Sequence, residues 1–123
     1  MKFKNRVLEE MLQSVEKYLD RMDLIGYAAA RNYRKIETCL KDLHGKRDEL
    51  LVKYGVKKTD ANNPSMHEYY IGPNDRNYSE FIKLYSQFLD IEHDVDIFKI
   101  DYSEAIGKLS GKELIEIDWM FED

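Results

Sequence analysis

The stretch VLEEMLQSVEKYLDRMDLIGYAAARNYRKIETCLKDLHGKRDELLVKY, residues 7–54, decides the fold: apolar side chains return every three or four positions, with one interruption at Asp23-Leu24-Ile25-Gly26. That period marks amphipathic helices, so the stretch reads as two helices folded back on each other, a hairpin over residues 4–54. The first begins near Lys4 or Asn5 and aligns Val7, Leu8, Met11, Leu12, Val15, Tyr18, Leu19 and Met22 on one face. The second starts in Ala28-Ala29-Ala30, a tripeptide of high helix propensity. Ala29, Ile36, Leu43 and Leu50 recur at intervals of seven, and Tyr33, Leu40, Arg47 and Tyr54 interleave with them as a near-heptad seam. Arg47 breaks the seam and Gly45 weakens the helix by about 1 kcal/mol relative to alanine, so packing against the first helix is expected rather than an isolated coiled coil. Gly55 offers a C-cap.

Residues 55–77 have another character. Lys57 to Pro64 reads as loop and Gly72-Pro73-Asn74-Asp75 as a turn, with Met66-His67-Glu68-Tyr69-Tyr70-Ile71 between them as a short strand. A second strand is expected over residues 94–101, where Val95 and Ile97 alternate with Asp94 and Asp96, and the two strands are expected to pair as a minor antiparallel ribbon. Asn77-Tyr78-Ser79-Glu80 has capping-box spacing and opens a third helix over 78–92. Ser110-Gly111-Lys112-Glu113 repeats that spacing and opens a short C-terminal helix over 111–121, with Trp119 as its anchor. The fold class that follows is mostly helical α+β, in one domain over residues 1–123.

The chain has 123 residues, 43% hydrophobic and 35% charged, which is too apolar for a disordered chain and too charged for a membrane protein. No run of apolar residues approaches membrane-spanning length and the start lacks a signal-peptide core, so a cytoplasmic protein is expected. Cys39 is the single cysteine, placed as a core-facing thiol. The net charge of −5 hides an asymmetry: residues 1–58 carry 14 Lys/Arg against 9 Asp/Glu, and residues 59–123 carry 5 against 15. Such a split favours docking of the halves within a chain, head-to-tail self-association into a homo-oligomer, or separate basic and acidic partner surfaces.

Chemistry-bearing clusters are sparse. Asp90-Ile91-Glu92-His93-Asp94-Val95-Asp96 gathers oxygen ligands and one imidazole, but lacks the glycine turn and distal glutamate of a calcium loop and the paired histidines of a zinc site. Glu113, Glu116 and Asp118, with Glu9 and Glu10, match in composition the carboxylates that hold magnesium in all-helical nucleotide pyrophosphatases, which keeps a metal-dependent nucleotide hydrolase as one alternative. His67 and His93 have no placed acid–base partner. The basic run Arg31-Asn32-Tyr33-Arg34-Lys35, with Lys2, Lys4 and Arg6, is suited to phosphates, and Tyr27 and Tyr33 to stacking on bases. Arg31 and Arg34 have a simpler use in pairing with Glu37 or the acidic half. The acidic half in turn keeps a DNA-mimicking inhibitor open. Neither a catalytic residue nor a metal or other cofactor is assigned.

Three segments together carry a resemblance: the opening Met1-Lys2-Phe3-Lys4-Asn5 before an apolar helix, the run from Leu24 through Gly26 to Arg31 and Arg34, and the ending Leu109-Ser110 to Asp118-Trp119-Met120-Phe121-Glu122-Asp123. In these the chain resembles a family of small uncharacterised proteins encoded by phages and prophages of Gram-positive bacteria. That family tends to place a small residue before its first arginine after the glycine, as Ala30 precedes Arg31, with one residue more between them here. The resemblance implies a bacterial host cell and transfers no catalytic residue. Nine tyrosines without recognisable chemistry point to a non-enzymatic protein–protein interaction or assembly protein, with Tyr27, Arg31, Tyr33, Arg34, Tyr69 and Tyr70 as the candidate interaction surface.

Overall fold

The computed structural model describes residues 1–60 and 62–123, with side chains at all of these except 59, 60 and 63–67. In chain order the elements are β1 (Lys2–Lys4), α1 (Asn5–Glu16), α2 (Leu24–Tyr54), β2 (Val56–Asp60), β3 (Asn63–Tyr70), α3 (Tyr78–Leu89), β4 (Glu92–Asp94), β5 (Ile100–Asp101), α4 (Gly111–Glu116) and β6 (Phe121–Glu122). Single 3-10 turns cover Tyr102–Glu104 and Asp118–Met120. The fold is thus mostly helical α+β, with one long helix and small two-stranded sheets. Residues group into two compact units, Met1–Leu40 with Glu92–Asp123, and Lys41–Ile91; α2 runs through the boundary at Leu40.

The link between α1 and α2 departs from the expected hairpin. α1 ends at Glu16 instead of continuing to Met22, and α2 begins at Leu24, ahead of the alanine run. Asp23 explains both. Its carboxylate accepts two bonds from the Arg21 guanidinium, at 2.6 and 3.2 Å, and one from the Gly26 N–H at 3.2 Å, while its carbonyl accepts from the Tyr27 N–H at 3.1 Å. An aspartate N-cap therefore starts the helix, and Gly26 sits inside the first turn rather than interrupting it. Glycine is required there because a Cβ would lie 2.0 Å from the Arg21 carbonyl oxygen. Met22, expected on the apolar face, is left in the connection and fully exposed. Val7 is likewise at the margin of exposure, because the stripe that α1 buries runs through Leu8, Met11 and Val15.

The core of the first unit joins residues far apart in sequence. Val15 and Tyr18 meet Ile25, Ala28 and Ala29 of α2, and on these pack Ile100, Ala105, Ile117, Met120 and Phe121. Fully buried alanines at 28 and 29 put small surfaces on α2 where the C-terminal segment packs. Trp119 is packed at the margin of this core, whereas Ile117 and Met120 are the fully buried residues of the C-terminal segment. The Ser110 box forms as expected: Ser110 Oγ accepts from the Glu113 N–H at 3.1 Å, and the Glu113 carboxylate accepts from the Ser110 N–H at 3.0 Å. The Asn77 box does not form. Capping needs extended backbone, and Asn77 sits at φ −97°, ψ 9°, with no side-chain cap bond. Cys39 is half-buried rather than enclosed.

The expected pairing of residues 66–71 with 94–101 is replaced, among the described residues, by three separate two-stranded sheets. β3 pairs antiparallel with β2, Val56 opposite Tyr70 and Lys58 opposite Glu68, so Lys57 and Lys58 belong to a strand and not to a loop; Ala61 lies outside the described residues. A local hairpin closes a much shorter loop than the long-range ribbon does, and loop-closure entropy favours it. β4 pairs antiparallel with β1, placing Lys2 opposite Asp94 and Lys4 opposite Glu92. β5 and β6 form a short parallel pair. Residues 95–99, expected as strand, are not assigned to one; the Val95 N–H donates to the Met1 carbonyl at 3.0 Å beside the β1–β4 pair.

Two glycines in one helix should respond in opposite directions. Gly26→Ala forces the Arg21 backbone away and lowers unfolding stability by about 1–3 kcal/mol, whereas Gly45→Ala, where a Cβ meets nothing within 4 Å, raises it by roughly 0.5–1 kcal/mol. Urea titrations followed by circular dichroism read both, and a Gly26→Ala protein as stable as the parent refutes the close-approach argument. Asp23 supplies a pH test. The Arg21 guanidinium, then the Gly26 N–H, lower its carboxyl from its ordinary 3.8 to about 2, so its stabilisation is complete above pH 4 and fades as pH falls toward 2. Melting temperatures of the parent and Asp23→Asn should converge over that window; a constant gap contradicts the assignment.

Candidate functional site

Of the α2 residues singled out in the sequence, Tyr27, Arg31 and Arg34 fall one helical turn apart on an exposed face. The opposite face is buried through Ile25, Ala29, Asn32, Ile36 and Leu40. Asn32 is therefore a polar side chain inside an apolar stripe, and it is fully enclosed. Its amide is satisfied on both sides by one residue: Nδ2 donates to the Phe98 carbonyl at 2.8 Å, and Oδ1 accepts from the Phe98 N–H at 2.8 Å. Lys35 adds a third tie, its ammonium donating to the Asp96 carbonyl at 2.6 Å. These side chains supply partners for the backbone of Asp96 and Phe98 and fix the Phe98 ring beside α2.

On that ring the exposed face is assembled. Tyr27 meets Phe98 edge to face, with centroids 5.8 Å apart at 74°. The Arg31 guanidinium lies 4.6 Å from the Phe98 centroid and 5.9 Å from that of Tyr27, and its Nη1 donates to the Tyr27 hydroxyl at 3.4 Å. The expected pairing of Arg31 and Arg34 with Glu37 or the acidic half does not occur: among the described residues neither arginine has a carboxylate partner. Burial first, and the nearby Glu37 carboxylate second, raise the Tyr33 pKa. Tyr33 is half-buried against the core rather than on the exposed face. Tyr69 and Tyr70 lie in the second unit, on β3, half-buried opposite Lys57 and exposed opposite Val56 respectively.

The other sequence candidates are dispersed. Asp90 ends α3, and Glu92 and Asp94 face lysines across the β1–β4 pair. His93 stands opposite Phe3, and the His67 side chain lies outside the described residues. Glu113 is used in the cap of α4, and Glu116 Oε2 accepts from the Lys17 ammonium at 2.8 Å. Among the described residues no three His, Cys, Asp or Glu side chains gather as a metal site. Lys17, Tyr18, Arg21, Lys112, Glu113 and Glu116 line a cleft of about 250 Å³. Its charges are largely answered within the chain, Lys17 by Glu116 and Arg21 by Asp23. Burial, then Glu116 and Glu113, raise the Tyr18 pKa, so the phenol stays protonated at neutral pH.

No family model, curated protein or solved structure matches the chain. The sequence signal for the aromatic face was partial. Tyr27, Arg31 and Arg34 were legible from spacing, but Phe98, 67 positions beyond Arg31, was visible only as one apolar residue in an acidic segment. Asn32 was hidden among basic neighbours.

Replacing Asn32 by alanine leaves the Phe98 N–H and carbonyl without partners at a buried position. Unfolding stability should fall by roughly 2–4 kcal/mol, and the Tyr27–Phe98 ring contact should loosen with it. Denaturant titration and the ring-current shifts of the two aromatic residues check this. A loss below about 0.5 kcal/mol, the size of an ordinary surface change, argues against the clamp.

Proposed function

We propose that the chain is a non-enzymatic protein–protein interaction or assembly protein of phage or prophage type, working in the cytoplasm of a bacterial host. The observation that carries this reading is exposed Tyr27 and Arg31 gathered on the half-buried Phe98 ring, with Arg31 and Arg34 lacking carboxylate partners among the described residues. Tyrosine and arginine are the residue types that most often concentrate binding energy at interfaces. Here they are ordered before any partner arrives, so little side-chain entropy remains to be lost on binding. The resemblance in the opening, the Leu24 to Arg34 run and the C-terminal segment supplies the phage context.

Nucleic-acid binding is the second reading, favoured by the same two arginines, with DNA mimicry its mirror through the acidic segments of the first unit. A nucleotide hydrolase has less support, since Glu113 and Glu116 are engaged by Ser110 and Lys17.

Light scattering at low and high salt, alongside affinity retrieval from host lysate, tests the proposal. Self-association or a retrieved partner is expected with the parent protein and should be lost in Tyr27→Ala, which keeps the fold because Tyr27 is 54% exposed. A protein that is monomeric at both salts and retrieves nothing sinks it.

A further inference from the structure

The exposed face of α2 has an order along the helix axis. Leu24 and Tyr27, both large and exposed, come first, and Arg31 and Arg34 follow, in a three–four–three spacing that keeps all four on one stripe. From Leu24 to Arg34 the stripe is about 15 Å long, at about 1.5 Å of rise per residue. Arg31 is the specified element within it. Its guanidinium lies over the Phe98 ring, and one nitrogen donates to the Tyr27 hydroxyl, which leaves the rest of its N–H fork without an acceptor among the described residues. This happens in a unit of 11 Lys/Arg and 16 Asp/Glu, where carboxylates are in excess and yet none is placed against either arginine.

We infer that this stripe binds an acidic segment of a partner protein, an apolar side chain seating on Leu24 and Tyr27 and carboxylates meeting Arg31 and Arg34. The inference rests on the interaction reading above and names the partner's chemistry. A guanidinium held over an aromatic ring with part of its fork free is suited to a carboxylate, which it grips in two parallel charge-assisted bonds, and the ring beneath helps hold it in place for that grip. A nucleic acid fits less well. Its backbone extends a line of negative charge across a unit of net charge −5, while one or two carboxylates on a protein meet only the local field of the arginines. The apolar half of the stripe likewise matches a protein side chain better than a phosphate. A second copy of the chain brings another −5 unit toward the first.

The test is a titration of the full chain, followed through its backbone amide signals, with a short blocked peptide of interspersed leucine and glutamate. Its glutamine-for-glutamate counterpart and a short DNA duplex are the controls. The acidic peptide should shift the amides of residues 24–38 and Phe98 saturably and in a salt-sensitive way. The glutamine peptide should bind roughly tenfold more weakly, and Arg31→Lys, which keeps the charge but not the planar fork, should lose a similar factor. Arg34→Ala, at an exposed position, should weaken binding without altering the melting temperature. The inference is overturned by equal binding of the two peptides, by Arg31→Lys binding like the parent, by shifts that map elsewhere, or by absence of binding. DNA binding the stripe more tightly than the acidic peptide overturns it too, as do concentration-dependent shifts there in the protein alone. If Tyr27→Ala abolishes partner capture while the acidic peptide does not bind, the interaction reading stands and only the acidic assignment falls.

Discussion

The buried amide of Asn32 holding both backbone groups of Phe98 is the constraint on which the arrangement of the first unit turns. Residues 95–99 form no strand and no helix, so their N–H and carbonyl groups need partners from elsewhere. Asn32 supplies a donor and an acceptor in one plane, matched to a donor and an acceptor of one residue. The arrangement is specific because it is buried: a satisfied pair contributes about 1 kcal/mol per bond, but losing one side leaves the other desolvated and unpaired, at 1–3 kcal/mol per group. Register follows from this. With Phe98 fixed, buried Val95 and Ile100 lie at set distances along the segment on either side of the clamp.

Charge follows the same topology. The +5 and −10 halves of the sequence do not remain apart, because residues 92–123 return to residues 1–40 in one unit. Lys2 and Lys4 face Asp94 and Glu92 across the β1–β4 pair, Lys35 reaches the Asp96 carbonyl, and Lys17 meets Glu116. These contacts are mostly at the surface and are worth little individually. Their effect is on specificity, since wrong registers of an acidic segment against a basic one would forfeit several at once. The second unit, with 8 Lys/Arg and 8 Asp/Glu, is neutral.

The helices were legible because a period of 3.6 is written locally, and so was the Ser110 cap, whose four residues contain the whole interaction. Strand pairing was not. Each sheet has only two strands, and a strand of two or three residues such as β1, β5 or β6 carries too few alternations to announce its partner. Gly26 misled for a different reason: a glycine in a sequence reads as a break, and only the proximity of the Arg21 carbonyl shows it to be a close-packing requirement within a helix. Asn32 illustrates the same limit from the polar side. In a run of Arg31, Asn32, Tyr33, Arg34 and Lys35 only Tyr33 belongs to the apolar seam and the other four suggest solvent, yet helical geometry sends Asn32 inward, with Tyr33 at the core margin, and Lys35 to a backbone carbonyl.

That dispersal is what gives the remaining two residues their meaning. A basic run that looked like a phosphate-binding patch is reduced by the fold to two exposed arginines, and one of them is ordered on an aromatic ring that arrives from the far end of the chain. An arginine placed only for solubility has no need of such a platform, and one placed for stability would find a carboxylate in a unit that has more acids than bases. The contact with Phe98 holds the guanidinium in place while leaving its charge unneutralised by a carboxylate, a combination that favours binding over stability. The clamp at Asn32 and the stack at Arg31 are then one device. The buried amide positions the ring, the ring positions the cation, and the helix carries the cation beside Leu24, Tyr27 and Arg34 on one exposed stripe.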